Sequence, residues 1–119
     1  MSYWANLCDP VTGSTLDLDE LHEMKGGSYV QGGTRSAELN VTYNYCGLLR
    51  EALGHDEDLR SLDGKTGAET IPLLKAGAET LGDETDPDYW KPAPGNVKRA
   101  LLQLLALAQL RPDGVWRIS

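Results

Sequence analysis

The chain has 119 residues, of which 40% are hydrophobic and 24% are charged, and these values predict one globular domain spanning residues 1–119 rather than a disordered chain. Its formal net charge is −7, and the charge is uneven, because residues 1–90 hold 17 acidic and 6 basic residues whereas residues 91–119 hold 1 and 5. Affinity for nucleic acid comes from neutralised phosphates, so this balance disfavours direct nucleic-acid binding and leaves two interpretations, a surface for a basic protein partner or plain solubility.

The first third of the sequence is predicted to form β structure. A strand over residues 2–8 ends at a turn over 9–13, where proline and glycine stand at turn positions. Residues 15–22 fit either a strand or a strand that leads into a short helical turn. Glycine pairs bracket residues 26–33, a pattern typical of loops or bulges beside a short strand. Residues 36–42 alternate apolar and polar side chains and are the clearest strand in the chain.

A first helix is predicted over residues 44–53, with Asn44 as its N-cap and Gly54 as its end. Leucines and alanines lie on one side of it at helical spacing. The following residues, 55–64, are mainly polar and are predicted to be a connector.

Because of Pro72, the second helical region is predicted as two separate segments. Thr66 and Glu69 have the spacing of a capping box, which indicates a short helical turn over residues 66–70. Proline fits best in the first turn of a helix, so a separate helix is predicted over residues 70–81.

Residues 83–95 are predicted to be a loop, in which Asp86-Pro87 is a candidate start for one more helical turn. The last helix is predicted from Gly95 or Asn96, either of which would cap it, to Leu110. It is apolar nearly all round, which favours the central core helix, or alternatively a core helix with one face in a homodimer. A turn and a strand over residues 115–118 follow.

These elements predict an α+β fold, with a small, mostly antiparallel sheet from the N-terminal third and the C-terminal strand packed against about three helices. Cys8 and Cys46 are 38 positions apart and are predicted to be free, buried thiols in a reducing compartment. No apolar run approaches the roughly 20 residues of a membrane span, and the N-terminus resembles no signal peptide, so we expect a cytoplasmic protein without membrane contact.

No pattern in the sequence predicts catalysis, a metal or a cofactor. Neither His22 nor His55 has a second histidine three or four residues away with which to share a metal ion. Gly64-Lys65-Thr66 matches the end of a phosphate-binding loop, but Leu59 stands where that motif requires glycine. We therefore expect a binding protein rather than an enzyme.

Two acidic runs are the predicted partner-binding surface. Both lie in segments predicted to be exposed loops, where a single-sign patch would attract a basic groove; the residues are Asp56, Glu57, Asp58, Asp83, Glu84, Asp86 and Asp88. The alternative interpretation is that the two runs are separate, solvated loops.

Several segments between residues 40 and 116 resemble a family of small proteins encoded by bacteriophages and prophages, mostly without assigned function. The segments are TYNY at 42–45, GKTGAETIP at 64–72, YWK at 89–91, GNVKRAL at 95–101, LALAQ at 105–109 and RPDGVW at 111–116. The resemblance implies a host-takeover or anti-defence factor acting in the bacterial cytoplasm. Anti-CRISPR proteins are a large class of such factors, and several resemble DNA in charge. This suggests an acidic inhibitor of a multi-subunit (type I) effector complex, which reads DNA by backbone charge and shape.

Two other functions compete with this one. The glycine-rich segment 26–33 could form a pocket for a nucleotide-like ligand together with Tyr29, Trp90 and Lys91. The chain could also be a phage accessory protein with an unrelated protein partner.

Overall fold

The computed structural model describes residues 2–22 and 34–119, so the glycine-rich segment 26–33 lies outside the described residues. It has three α-helices and a small antiparallel sheet, which confirms the predicted α+β fold, and it adds a second, two-stranded sheet. The elements in chain order are β1 (Ser2–Cys8), β2 (Asp17–His22), β3 (Thr34–Ser36), β4 (Glu38–Thr42), a 3-10 helix (Tyr43–Tyr45), α1 (Cys46–Leu53), a second 3-10 helix (Asp58–Leu62), α2 (Gly67–Thr80), α3 (Pro94–Leu110) and β5 (Val115–Ile118).

The main sheet has the strand order β4-β1-β5 with antiparallel pairing throughout. Ala5 in the central strand lies opposite Leu39 of β4 and Ile118 of β5. Because side chains alternate along a strand, Tyr3, Ala5 and Leu7 are buried against the helices while Trp4 is exposed on the outer face.

The second sheet, β2 with β3, is joined to the main sheet by backbone hydrogen bonds among three residues. Leu7 donates to the carbonyl of Ala37, Ala37 donates to that of Leu16, and Leu16 donates to that of Leu7, each at 2.8 or 2.9 Å. Residues 17–22 form a strand that pairs with β3, from Asp17 opposite Ser36 to His22 opposite Thr34, and the helical-turn alternative for this segment is not observed.

The β5 edge of the main sheet is covered by the segment that leads into α2. Gly64 donates to the carbonyl of Trp116 and Trp116 donates to that of Lys65, both at 2.8 Å. The Asp63 carboxylate accepts from the backbone N–H of Ile118 at 2.9 Å. A covered edge cannot pair with a strand of another chain.

The first helical segment begins differently from the prediction. Thr42, not Asn44, provides the cap: its hydroxyl accepts from the Asn44 N–H at 3.2 Å and starts the 3-10 helix Tyr43–Tyr45, so that α1 begins only at Cys46. The predicted end is confirmed, because Gly54 has φ 64° and forms a left-handed C-cap.

The predicted connector over residues 55–64 contains a short element that was not predicted, the second 3-10 helix, Asp58–Leu62. Leu59 and Leu62 are both buried. Their spacing of three residues places them on one side of a 3-10 helix, which has three residues per turn. The many polar residues of the segment concealed this pair of apolar residues in the sequence.

Helix α2 is one continuous helix, so its predicted division at Pro72 is wrong. The Thr66 hydroxyl accepts from the Glu69 N–H at 3.1 Å, which confirms the predicted cap. Pro72 removes one intrahelical hydrogen bond, but Thr70 and Leu74 are buried on either side of it and hold the helix together. The Thr70 hydroxyl also accepts from the indole N–H of Trp116 at 2.8 Å, which links α2 to β5.

Helix α3 occupies the core, as predicted, with its leucines and alanines packed against α2 and the sheet. It begins at Pro94 after an N-cap at Ala93, so neither Gly95 nor Asn96 is the cap. Proline at the first helical position is preset for the helix, which releases Asn96 for another role. Leu102 and Leu110 are exposed on its outer side.

Candidate functional site

The segment between α2 and α3, residues 83–93, carries four of the seven predicted contact residues and is called the acidic loop here. It begins with an ion pair, in which the Lys98 ammonium lies 2.7 Å from the Asp83 carboxylate. The hydrogen bond from Lys98 holds the pKa of Asp83 below its usual value. The first carboxylate of the loop is therefore tied to α3.

Two successive aspartates shape the middle of the acidic loop. The Asp86 carboxylate accepts from the Asp88 N–H at 2.8 Å, and the Asp88 carboxylate accepts from the Trp90 N–H at 3.0 Å. Aspartates favour such local turns because a short carboxylate reaches the backbone two residues on. These turns stand where one more helical turn was suggested at Asp86-Pro87.

Asn96 holds the acidic loop from beneath. Only 4% of the surface of this residue is exposed. The amide oxygen accepts from the Asp86 N–H at 3.2 Å, and the NH₂ group lies 3.1 Å from the carbonyl oxygen of Asp86 and 3.2 Å from those of Asp88 and Lys91. This role of Asn96 was not predicted from the sequence. The signal for it was an asparagine, a poor helix former, two residues after a proline that could itself start the helix.

The loop is docked on its other side against the end of β4 and the first 3-10 helix. The Tyr89 hydroxyl accepts from the Thr42 N–H at 2.9 Å, and the carbonyl of Tyr89 accepts from the Tyr45 hydroxyl. The Asn44 amide donates to the carbonyl of Trp90 at 2.9 Å. Burial raises the pKa of both Tyr45 and Tyr89.

Trp90 is exposed although its backbone is held on both sides. Its side chain is 58% exposed, and its ring lies edge-on to that of Tyr89 with 5.1 Å between centroids. The described residues contain one other exposed tryptophan, Trp4, which is 49% exposed on the outer face of the sheet. Trp90 is thus an apolar surface group on a fixed backbone among carboxylates.

Two of the four predicted carboxylates in the loop lie beside cations. Asp83 pairs with Lys98, and the Asp86 carboxylate lies 3.9 Å from the Lys91 ammonium. Glu84 and Asp88 are exposed and contribute the remaining negative charge. Lysines from the positively charged C-terminal segment therefore reduce the negative charge of this surface. A count of charges along the sequence does not show this pairing.

The first acidic run divides in the structure. Asp56 and Glu57 are exposed, as predicted, but Asp58 is buried, with 3% of its surface exposed. It has φ 50°, in the left-handed region that aspartate tolerates better than most residues. Burial raises the pKa of Tyr3, and the hydrogen bond between the Tyr3 hydroxyl and the Asp58 carboxylate raises it further. Asp58 is therefore a structural residue and not an exposed contact.

The 3-10 helix Tyr43–Tyr45 contacts residues near both acidic runs. The Arg60 guanidinium, two residues after Asp58, lies 5.3 Å from the ring centre of Tyr3 and 5.6 Å from that of Tyr43. Tyr45, at the other end of this helix, carries the acidic loop. This 3-10 helix therefore contacts the second 3-10 helix through Arg60 and the acidic loop through Tyr89.

Within residues 2–22 and 34–119, no group of three or more histidine, cysteine, aspartate or glutamate side chains could hold a metal ion. Cys8 and Cys46 are free thiols, as predicted, although Cys46 is only partly buried. No helix in this part of the chain is long and apolar enough to cross a bilayer.

The alternative ligand pocket cannot be assembled from the described residues. Trp90 and Lys91 are both exposed on the acidic loop. Tyr29 and the glycine-rich segment 26–33 lie outside the described residues. Comparisons of the chain with protein-family models, with curated proteins and with solved structures each found no match.

Proposed function

We propose that this protein is a non-catalytic inhibitor that binds a basic partner protein through the acidic loop. The observation that carries the proposal is Trp90, which is exposed on a loop whose backbone is held by Asn96 and Tyr89. Tryptophan is enriched among the residues that dominate binding energy at protein interfaces. A large apolar group on a fixed backbone loses little conformational entropy when a partner covers it.

The charge around Trp90 supports a basic partner. Glu84 and Asp88 are exposed on the same loop, and Asp83 remains open to solvent on the side away from Lys98. Carboxylates at the rim of an interface steer a partner of opposite charge and make association sensitive to salt. Asp56 and Glu57 are also exposed, and they are a second acidic element for the same partner to contact.

The resemblance to small phage proteins supports a more specific partner, the type I CRISPR effector complex in the cytoplasm of the bacterial host. Such a complex binds DNA through a basic channel that recognises backbone charge and shape rather than sequence. Carboxylates at the channel mouth would compete with phosphates for the same lysines and arginines. The protein would thereby block target DNA binding without contacting nucleic acid itself.

The proposal is tested with purified type I effector complexes loaded with guide RNA and a fluorescent target duplex. We expect the protein to reduce DNA binding by at least one complex in a dose-dependent way, and the inhibition to weaken as the salt concentration rises. Inhibition that is unaffected by salt would contradict the role of the carboxylates. Unimpaired DNA binding by every complex, with no protein retained, would contradict the effector as the partner.

A further inference from the structure

Asn96 differs from the other residues of the acidic loop region because it is buried, uncharged and directed at the loop backbone. Its amide reaches residues at both ends of the segment 86–91. Replacing it therefore leaves the surface charge and Trp90 unchanged while it removes the bonds that hold the loop. Any effect on binding would then come from the shape of the loop alone.

The acidic loop contains no helix or strand of its own, so its shape depends on a few anchors. A flexible segment that becomes ordered on binding loses conformational entropy at that moment, which weakens the complex. Asn96 orders the loop during folding instead. We propose, on the basis of the proposed function, that Asn96 is a positioning residue that sets the binding shape of the acidic loop before the partner arrives.

This role makes a kinetic prediction that differs from the predictions for contact residues. If only about a tenth of the molecules hold the loop in its binding shape, the association rate falls about tenfold, because only that fraction is competent to bind. Once the complex has formed, Trp90 and the carboxylates make their usual contacts, so the dissociation rate changes little. The loss is independent of salt, because Asn96 carries no charge.

The test compares Asn96→Ala with Val97→Ala, which alters the next residue of α3, equally buried but directed into the core. The first measurement is amide hydrogen exchange of Asp88 and Trp90, whose N–H groups are bonded within the loop and not to Asn96. The second is association and dissociation on an immobilised type I effector complex that the unaltered protein inhibits. Both are made well below the unfolding temperature.

For Asn96→Ala we expect exchange at Asp88 and Trp90 to accelerate and the association rate to fall about tenfold, with dissociation changed less than about twofold. For Val97→Ala we expect neither change. Unaltered exchange in Asn96→Ala would overturn the proposal, and so would faster exchange with unaltered association, in which case the proposed function would stand. If the unaltered protein binds no effector complex, the proposed function fails first, and the binding role of Asn96 fails with it.

Discussion

The backbones of Gly95 and Glu84 lie in direct contact: the Gly95 N–H donates to the Glu84 carbonyl at 2.7 Å, and a Cβ built on Gly95 would lie 2.7 Å from the same oxygen. The carbonyl oxygen of Asp83 would lie 2.6 Å from it. The first turn of α3 therefore accepts the acidic loop only because residue 95 has no side chain.

Gly95→Ala should move the acidic loop and destabilise the fold. Alanine is the better helix former, but its methyl group would meet backbone atoms that cannot rotate away. We expect a loss of about 1–3 kcal/mol in the free energy of unfolding, measured with urea. Gly47→Ala is the control, because nothing lies within 4 Å of its Cβ, and it should stabilise by about 0.5–1 kcal/mol. Equal effects of the two substitutions would contradict the close approach at Gly95.

Asp58 should matter for stability and Asp56 should not, although both belong to the same acidic run. Asp58→Ala leaves the buried Tyr3 hydroxyl without its acceptor and places alanine at φ 50°. We expect a cost of about 1–3 kcal/mol, against less than about 0.5 kcal/mol for the exposed Asp56→Ala. A near-neutral Asp58→Ala would show that this carboxylate is exposed after all.

The ion pair between Asp83 and Lys98 should appear in an acid titration. The pKa of Asp83 is lowered by Lys98, so the stabilisation is present above the unfolded-state pKa, about 3.9, and is lost as the pH falls through the lower folded-state value. In Lys98→Met we expect the Asp83 pKa, followed by carboxyl NMR, to rise towards that ordinary value. The Asp113 pKa, which Arg111 lowers, should stay where it is and serves as the internal control.

Buried tyrosines should make the protein sensitive to alkali. Burial raises the pKa of Tyr45, so the folded state keeps its proton at a pH where the unfolded chain releases it. The contribution of this tyrosine to the free energy of unfolding is therefore fully present below about pH 10. Above that pH the free energy of unfolding declines by about 1.4 kcal/mol per pH unit for each such group. Tyr45→Phe should be less stable at neutral pH, because the bond to Tyr89 is lost, but its decline above pH 10 should be shallower. Ionisation of Tyr45 near pH 10 in the folded protein would contradict its burial.

Local patterns in the sequence predicted most of the fold. Alternation of apolar and polar residues identified β4, and an apolar segment that stops at a turn with proline and glycine identified β1. Thr66 and Gly54 marked helix ends through capping chemistry that acts over a few residues. The division of α2 at Pro72 was predicted wrongly because tertiary burial of Thr70 and Leu74 outweighs one missing hydrogen bond.

The site was less predictable, because its properties depend on contacts between distant segments. Sequence composition marked the acidic loop as charged, but the pairing of Asp83 with Lys98 joins residues 15 positions apart. Asp58 is buried and interacts with Tyr3, which lies near the N-terminal end of the described residues. Asparagine is a residue type that often caps helices. Only the position of the acidic loop shows that the Asn96 amide faces the backbone of Asp86, Asp88 and Lys91.

The most direct test of the account is the affinity of four single variants for the type I effector complex that the unaltered protein inhibits. Trp90→Ala and Glu84→Lys alter the acidic loop, whereas Trp4→Ala and Glu51→Lys make the same chemical changes at exposed positions on β1 and α1. We expect Trp90→Ala to weaken binding by about 2 kcal/mol, or roughly thirtyfold, Glu84→Lys to slow association at low salt, and both controls to bind normally. Normal binding by Trp90→Ala and Glu84→Lys, or equal losses in the controls, would contradict the acidic loop as the binding surface.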